Sequence, residues 1–396
     1  MSSASPTLSL VVVRIAAVVA LGVMVDGCDR HDGRPSSISG PVMVSRTPGN
    51  GLQPQAVFDS AGTLHLIYFS GAPEGGDIFY VRRRADEPAY SSPLRVNSQP
   101  GSAIAVGIVR GAHLAVGSRV HVAWNGSSRA EPTGPGGAPM LYARLDDSGA
   151  AFEPQRNLIT WAGGIDGGGT VAADSSGTVY VAWHAGESGI DEAHRAVFVA
   201  RSTDDGLTFQ RERQVSPEGT GACSCCGMSS TIDRSARLNL LYRAAGQNVH
   251  RDLTLLWSAD RGESFTAAPI HGWKINACPL TTSALTTAEE GVLAAWETEQ
   301  QVYFATLIAG QPGLPRPVVQ GAAAVRRHPA IARNSRGETL VAWTVGAGWK
   351  GGSEVAWQEY DPSGKPMSAA GQIGGLSVWG SLAVVARPDG RFLLWY

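Results

Sequence analysis

The sequence has little charge and no concentration of positive charge. Only 17% of its 396 residues are charged and the formal net charge is −2, whereas charged residues make up about a quarter of a typical soluble domain. No stretch forms a basic stripe, which is the electrostatic footprint of a nucleic-acid-binding protein. We therefore expect no nucleic acid among the partners of this chain.

Cysteine is also scarce, but its distribution is uneven. The chain contains five cysteines, and three of them lie in one short stretch, Cys223-Ser224-Cys225-Cys226. The other two are Cys28 and Cys278. Thiols outside the cytoplasm oxidise unless they are already bonded or bind a metal, so the chemistry of this group depends on where the protein resides.

Hydrophobic residues and glycine, by contrast, are abundant. Hydrophobic residues make up 43% of the chain, which supports a sizeable core and excludes global disorder. The chain also has 49 glycines and 11 tryptophans. This composition indicates many short strands joined by tight turns, and the length excludes a mini-domain.

The N-terminus is typical of an exported protein. Arg14 precedes the apolar segment 15–25, which has the length of a signal-peptide core and is too short to span a bilayer comfortably. The sequence "VDGC" follows and resembles the bacterial lipobox. We expect a lipoprotein-type signal peptide at 1–27, lipid on Cys28, and a polar tether at 28–40 that anchors an exported protein, periplasmic or on the cell surface, to a membrane. The alternative is an ordinary cleaved signal peptide with an incidental cysteine.

A repeat organises the rest of the chain. Strand-like segments such as "VHVAW" and "VYVAW" end in or near an aromatic residue, and these aromatics are 47 to 59 residues apart. They are Tyr68, Trp124, Trp183, Tyr242, Trp296, Trp343 and Trp395. Four short strands per unit of this size indicate a β-propeller. We predict one all-β propeller over 41–396, with seven four-stranded blades (six as the alternative), closed by the strand at 41–45, and a monomer.

Two turns carry a sharper motif. "STDDGLTF" (202–209) and "SADRGESF" (258–265) match S-x-D-x-G-x-[TS]-[FW], and 145–152 keeps only Asp147, Gly149 and Phe152. They resemble the Asp-box, or BNR repeat, of sialidase-like propellers, in which this turn lies opposite the active site. A structural turn is favoured over a catalytic pair of carboxylates. Its residues are Ser202, Asp204, Gly206, Phe209, Ser258, Asp260, Gly262 and Phe265.

Most of residues 41–396 resembles a subgroup of bacterial sialidase-like proteins. The shared pattern is CxCC, then an Arg-Asp pair, an Asp-box and W-x-I-x-x-C-P. Here these are 223–226, Arg251-Asp252, 258–265 and 273–279. The resemblance implies the propeller fold but no particular activity for the subgroup.

The cysteines fall at equivalent places in successive blades. Cys223, Cys278 and His328 share one register just before the innermost strands of blades four, five and six, so we expect them to meet at one rim. Three interpretations remain open. The first is disulfides, for example Cys223–Cys278 with a vicinal Cys225–Cys226 bond. The second is a copper or zinc site of thiolates with His328 as a further ligand. The third is an exposed redox dithiol.

Other polar residues are expected on the same rim. Most of them are expected to be merely solvated, and Arg251-Asp252 is expected to form an ion pair that supports a loop. The group comprises His184, Glu187, Asp191, Glu192, His194, Arg195, Arg243, His250, Arg251, Asp252, Glu297, Trp349 and Lys350.

Sialidase chemistry is the second-ranked function. It needs three arginines on the substrate carboxylate, a tyrosine nucleophile with a glutamate, and an aspartate acid/base. The first of those arginines is absent from 49–57, and no tyrosine–glutamate pair can be assigned. Arg243, Arg251 and Asp252 are the candidate catalytic residues, and Arg326 or Arg327 could also reach the rim.

The preferred hypothesis is therefore a membrane-tethered, non-hydrolytic propeller. Its rim cysteines would bind metal or support a glycan or protein ligand. The alternative is an exo-acting glycoside hydrolase of the exo-α-sialidase type, and a purely scaffolding role is the third possibility.

Overall fold

A computed structural model describes residues 40–186, 190–319, 324–346 and 353–396 of the chain. The predicted signal peptide, Cys28 and all but the last residue of the predicted tether lie outside these ranges. Within them the structure is almost entirely β, with short 3-10 helices at Pro48–Asn50, Ile108–Arg110 and Glu192–His194. None of the helices in the described part is long and apolar enough to cross a membrane.

The strands form seven separate sheets, which are the blades of a propeller. Blade one contains β2 (Leu52–Phe58), β3 (Thr63–Ala72), β4 (Gly75–Arg84) and β5 (Leu94–Arg95). Blade two contains β6 (His113–Val116), β7 (Val120–Asn125), β8 (Met140–Arg144) and β9 (Arg156–Asn157). Blade three contains β10 (Gly169–Ala173), β11 (Val179–Ala185), β12 (Ala196–Ser202) and β13 (Arg213–Gln214).

Blades four and six follow the same four-stranded plan, and blade five has a fifth strand that pairs with its third. Blade four contains β14 (Ser229–Ile232), β15 (Leu238–Arg243), β16 (Leu253–Ser258) and β17 (Thr266–His271). Blade five contains β18 (Ser283–Thr287), β19 (Val292–Thr298), β20 (Gln301–Ile308), β21 (Gln311–Pro312) and β22 (Arg316–Pro317). Blade six contains β23 (Arg326–Arg333), β24 (Thr339–Val345), β25 (Glu354–Tyr360) and β26 (Pro366–Gly374).

The seventh blade joins the two ends of the described chain. It contains β27 (Ala383–Ala386), β28 (Phe392–Trp395) and, as its outer strand, β1 (Val42–Ser45). β1 runs parallel to β28, and Val42 lies opposite Phe392. The prediction of a seven-bladed ring closed by 41–45 is confirmed, and the alternative of six blades is wrong.

The innermost strands line up around the ring. β2, β6, β10, β14, β18, β23 and β27 each contact the next, and β27 contacts β2. Every inner strand therefore begins on the same face, where the connections between second and third strands also lie. We call this the cysteine face, because residues 223–226 precede β14 there. The opposite face, which carries the turns between first and second strands, is the turn face.

The repeat aromatics explain why the blades pack together. Trp124, Trp183 and Trp296 lie on second strands and are at most 1% exposed. Trp183 packs with Met140 and Tyr142 of the preceding blade. Because second strands are buried on both sides, their sequences are continuous apolar runs. Burial of their large aromatic side chains between sheets stabilises the ring.

The two full Asp-boxes form the turns between third and fourth strands. Asp204 accepts hydrogen bonds from the Thr208 amide (2.9 Å) and from the Ser202 hydroxyl (2.7 Å). Asp260 makes the same contacts with Ser264 and Ser258. Gly206 and Gly262 have φ of 76° and 80°, which side chains disfavour. Phe209 meets Tyr142 of the preceding blade edge-on, with ring centroids 4.9 Å apart.

The partial box of blade two differs from expectation. Asp146, not Asp147, accepts the local hydrogen bonds from Ser148 and the Ala150 amide. Asp147 instead pairs with Arg119. Leu145 stands where the full boxes have serine, so the motif there reduces to an Asx turn that begins one residue earlier.

Candidate functional site

The loop in front of β14 is fixed between blades four and five. The Cys223 amide donates to the carbonyl of Arg243 (2.8 Å), at the end of β15. The Gly227 amide donates to the carbonyl of Thr281 (2.9 Å), just before β18. Within the loop, the Cys226 amide donates to the Cys223 carbonyl (3.3 Å). This turn brings the side chains of Cys223 and Cys226 to the same side.

The structure brings all four cysteines after residue 200 into one cluster. Cys225 and Cys278 form a disulfide with Cα atoms 6.4 Å apart. Cys223 and Cys226 are free thiols. The Cys223 sulfur lies 3.1 Å from that of Cys226 and 3.4 Å from that of Cys225. We call these four residues the sulfur cluster.

The pairing differs from the example given by sequence analysis. Cys278 is bonded to Cys225 rather than to Cys223, and Cys225 and Cys226 are not bonded to each other. The turn explains this difference, because it places Cys223 and Cys226 together in the interior, each 1% exposed. Cys225 is directed outward toward Cys278, which is exposed.

A carboxylate completes the cluster. Glu192, in the connection of blade three, accepts hydrogen bonds from the Ser224 amide (2.7 Å) and hydroxyl (2.8 Å). Its other oxygen lies 2.5 Å from the Arg251 guanidinium. Burial raises the pKa of Glu192, but the bonds from Ser224 and Arg251 outweigh it and lower the pKa. Donor atoms of Glu192, Cys223, Cys225 and Cys278 all lie within 4.8 Å of one another.

The inner thiols have unequal affinities for the proton. Thr281 donates a hydrogen bond to the Cys226 sulfur (3.4 Å), and the Arg243 guanidinium donates to Thr281 (2.9 Å). Burial raises the pKa of Cys226, but the Cys223 thiol, the Arg243 charge and Thr281 together lower it. The hydrogen bond to Cys226 and burial raise the pKa of Cys223. A negative charge on the pair is therefore favoured on Cys226 rather than on Cys223.

His328 does not join the cluster. It is 5% exposed, and its Nδ1 lies 3.5 Å from the Thr282 hydroxyl. Burial lowers its pKa to about 3. The register of β23 shifts between Arg327 and Ala330, and His328 has a φ of 48°. This bulge carries the histidine away from the position expected for a ligand.

His184 contacts the cluster from blade three. Its Nε2 lies 3.3 Å from the Cys226 carbonyl oxygen, and burial lowers its pKa to about 4. His184 was predicted to lie on the rim, with no role assigned to it. Thr281 and Ser224 were not predicted at all, although both lie within two residues of a motif position.

The candidate catalytic residues contact protein groups. Arg243 is 3% exposed and donates to Thr281, to the Arg251 carbonyl (2.7 Å) and to the Glu297 carbonyl. Arg251 pairs with Glu192, and Asp252 accepts a hydrogen bond from the Trp273 amide (2.8 Å). The expected Arg251–Asp252 pair is therefore not the one formed. Arg243 and Arg251 are therefore buried against protein groups, and one carboxylate oxygen of Asp252 is engaged by the backbone.

The remaining rim candidates have different surroundings. Asp191 and His194 are exposed and lie 2.5 Å from each other. Arg195 donates to the carbonyl of Gly164, and the His250 amide donates to the Gly246 carbonyl (2.9 Å). Arg326 is buried at the start of β23. Glu187, Trp349 and Lys350 lie outside the described residues.

Glu297 is fully buried beside the cluster. It is 0% exposed, its carboxyl oxygens have no hydrogen-bond partner among the described residues, and the Arg327 Nε lies 3.5 Å away. Burial raises the pKa of Glu297 to about 8, against the opposing charges of Arg327 and Arg243.

Comparison with known proteins identifies the fold class. No family model matches the chain, and no curated protein matches it. A sialidase from Trypanosoma rangeli is similar in structure at a TM-score of 0.50 and 12% identity, over 76% of this chain and 52% of that one. This chain thus spans about half the length of that sialidase.

Two further structures show the same range of similarity. Hadza microbial sialidase Hz136 matches at a TM-score of 0.49 and 13% identity, over 78% of this chain and 68% of that one. A protein of unknown function from Dyadobacter fermentans matches at 0.49 and 14%, over 81% and 93%. The structural neighbours include sialidase-like β-propellers, and at these identities the likeness is one of fold alone.

Proposed function

We propose that this chain is an exported, membrane-anchored propeller of the CxCC sialidase-like subgroup, which binds a thiophilic metal ion at the sulfur cluster and does not hydrolyse sialosides. The convergence of four sulfurs and the Glu192 carboxylate from three successive blades carries the proposal.

Donor chemistry favours a soft or borderline metal ion. Reduction of the Cys225–Cys278 disulfide would release two thiolates beside Cys223 and Glu192. Three thiolates and a carboxylate suit tetrahedral Zn(II), and thiolates alone suit Cu(I). Ser224 and Arg251 already hold Glu192 in place. Such outer partners orient ligands and commonly affect metal affinity about 10- to 100-fold.

Metal binding can be tested on reduced protein. In a Cys28→Ser background, which removes the lipid-bearing thiol, we expect native mass spectrometry to show one Zn(II) or Cu(I) per chain. Cys278→Ser should weaken binding by about tenfold or more, since it removes a ligand. His328→Gln is the matched control and should bind as the parent does. Absence of metal from the reduced parent, or unchanged affinity in Cys278→Ser, would contradict the proposal.

The non-hydrolytic character rests on the arginines. Arg243 and Arg251 are 3% and 4% exposed and engage protein groups, so neither of these two candidates is available to a substrate carboxylate. We expect no release from a fluorogenic sialoside under conditions in which an authentic sialidase turns it over. Turnover that disappears in Arg243→Ala would support the alternative, an exo-α-sialidase.

Membrane anchoring is a separate element of the proposal. Its support is the apolar segment followed by "VDGC" at the N-terminus. Cells fed a labelled fatty acid should incorporate it into the wild-type protein and fractionate the protein with membranes. Cys28→Ser should lose the label. Equal labelling of both forms would show that Cys28 is not the attachment site.

A further inference from the structure

We propose that the sulfur cluster performs an internal thiol–disulfide exchange, in which Cys223 displaces Cys278 from Cys225 and releases Cys278 as an exposed thiol. The inference deepens the metal site proposed above, on which its biological role rests. The exchange itself requires no metal.

The geometry places an attacking sulfur against the disulfide. The Cys223 sulfur is 3.4 Å from that of Cys225, which is van der Waals contact and leaves little distance to cover. Attack by a thiolate on a disulfide sulfur is the general route by which such bonds rearrange. Cys225 is bonded to Cys278 and touched by Cys223, so it is the sulfur that both partners share.

When Cys226 is a thiolate, it can accept the proton that Cys223 loses in the attack. Its sulfur lies 3.1 Å from that of Cys223 and receives the Thr281 hydrogen bond from its other side. As the Cys223 proton passes to Cys226, a Cys223–Cys225 bond forms and the Cys225–Cys278 bond breaks. Cys278 leaves as a thiolate and takes a proton from solvent. No electrons enter or leave the cluster.

The consequence is a change in where the free thiols lie. Before the exchange both are interior, on Cys223 and Cys226, which are each 1% exposed. After it one free thiol is on Cys278, an exposed residue. A thiol there can attack an external protein disulfide, forming a mixed disulfide and releasing the other external sulfur as a thiolate, or it can bind a soft metal ion.

Alkylation of oxidised protein tests the exchange. Metal-free protein in the Cys28→Ser background is treated with iodoacetamide under native conditions in the presence of a chelator, and peptides are mapped without reduction. We expect the label on Cys278 together with a Cys223–Cys225 disulfide. A buried thiol that cannot exchange is protected from alkylation, so Cys278 should be the first cysteine labelled.

Matched variants separate exchange from adventitious reduction. Cys223→Ser should lower the rate of Cys278 labelling by about tenfold or more, because the attacking thiolate is lost, and should retain the Cys225–Cys278 bond. Cys223→Ala is a second form in case the serine disturbs the loop. Cys226→Ser should label more slowly with the same product. Met228→Leu, which removes a thioether but no thiol, should label as the parent does.

Two results would overturn the exchange. One is a Cys278 that stays unlabelled in the parent while Cys223 or Cys226 reacts, and the other is equal labelling of Cys278 in the parent and in Cys223→Ser. The metal titration is independent of both. Labelled Cys278 without metal binding would leave the exchange standing and refute the proposed function, and the reverse pattern would refute the exchange alone.

Discussion

Glu297 places a carboxyl group in the interior without a hydrogen-bond partner among the described residues. Arg327, from blade six, is its nearest opposite charge at 3.5 Å, and Arg243 and the Cys226 thiol face it from blade four. Burial of a carboxyl disfavours its charged form. Glu297 therefore couples the stability of the ring to pH.

The sign of this effect follows from proton uptake. The pKa is about 8 in the folded chain against an ordinary value of 4.5, so the folded state binds the extra proton between these values. The stability that the fold gains from protonation of Glu297 is fully present below pH 4.5 and is lost as the pH rises through 8.

We predict that Glu297→Gln reduces the loss of stability with rising pH. The neutral amide needs no proton, so its melting temperature should fall less between pH 5 and pH 8 and should exceed that of the wild type at pH 8 by about 2 °C or more. Glu290→Gln, in the exposed turn before β19, is the control and should follow the wild type. Parallel pH profiles for all three proteins would show that Glu297 does not titrate in this range.

At the scale of single residues, sequence register located the cysteines but not their partners. Cys223 and Cys278 stand at equivalent places in neighbouring units, and the ring brings them together for that reason. His328 has the same register, yet a bulge in β23 diverts it. Glu192 and Thr281 reach the site because of the lengths of the connections that carry them. The repeat does not determine those lengths.

Each full Asp-box is a small hydrogen-bonded unit within its element. Asp204 binds Ser202 and both the amide and the hydroxyl of Thr208. Burial raises its pKa, but these bonds together outweigh burial and lower the pKa to about 2. The carboxylate therefore stays charged and keeps the turn closed at any ordinary pH.

We predict that Asp204→Ala destabilises the chain by about 1 to 2 kcal/mol, because local bonds to a charged acceptor are lost together. Thermal or urea unfolding measures it. Thiol reactivity should not change, since the turn lies on the face opposite the sulfur cluster. Asp147→Ala, which removes only an exposed partner of Arg119, should stay within about 0.5 kcal/mol of the wild type. Equal effects of the two changes would contradict a special role for the box.

At the scale of elements the sequence was informative wherever a motif was complete. The serine, aspartate and glycine of 202–209 define the turn through their own side chains and φ, so local chemistry suffices to predict it. In 145–152 the serine is missing and the acceptor moves to Asp146. In such an incomplete motif, the position of the turn depends on which of the two adjacent aspartates accepts the local hydrogen bonds.

For the whole molecule, closure of the ring depends on one short strand. Val42 and Val44 are 5% and 3% exposed and pack with Leu382, Phe392 and Leu394 of the same blade. The Phe392 amide also donates to the Pro41 carbonyl (2.8 Å). Blade seven would lose its outer strand without residues 41–45.

We predict that deletion of residues 1–45 costs about 3 kcal/mol or more, the contribution of two buried valines, and lowers the melting temperature by roughly 4 °C. Deletion of residues 1–39, which spares β1, is the matched control and should melt with the full chain. If both truncated forms melt together, β1 does not close the ring.

The number of blades was accessible from sequence because each unit repeats one buried aromatic strand. The order of strands in the last blade was harder to predict from the sequence. A terminal segment carries no internal marker for parallel or antiparallel pairing, and only its register against β28 decides the matter.

The parallel pairing of β1 with β28 also determines the face on which the chain enters the ring. Val42 lies beside Phe392, just after the chain has turned from β27, so the polypeptide enters the ring on the turn face. Under the proposed anchoring at Cys28, the tether would join the propeller on the side of the Asp-boxes, opposite the sulfur cluster.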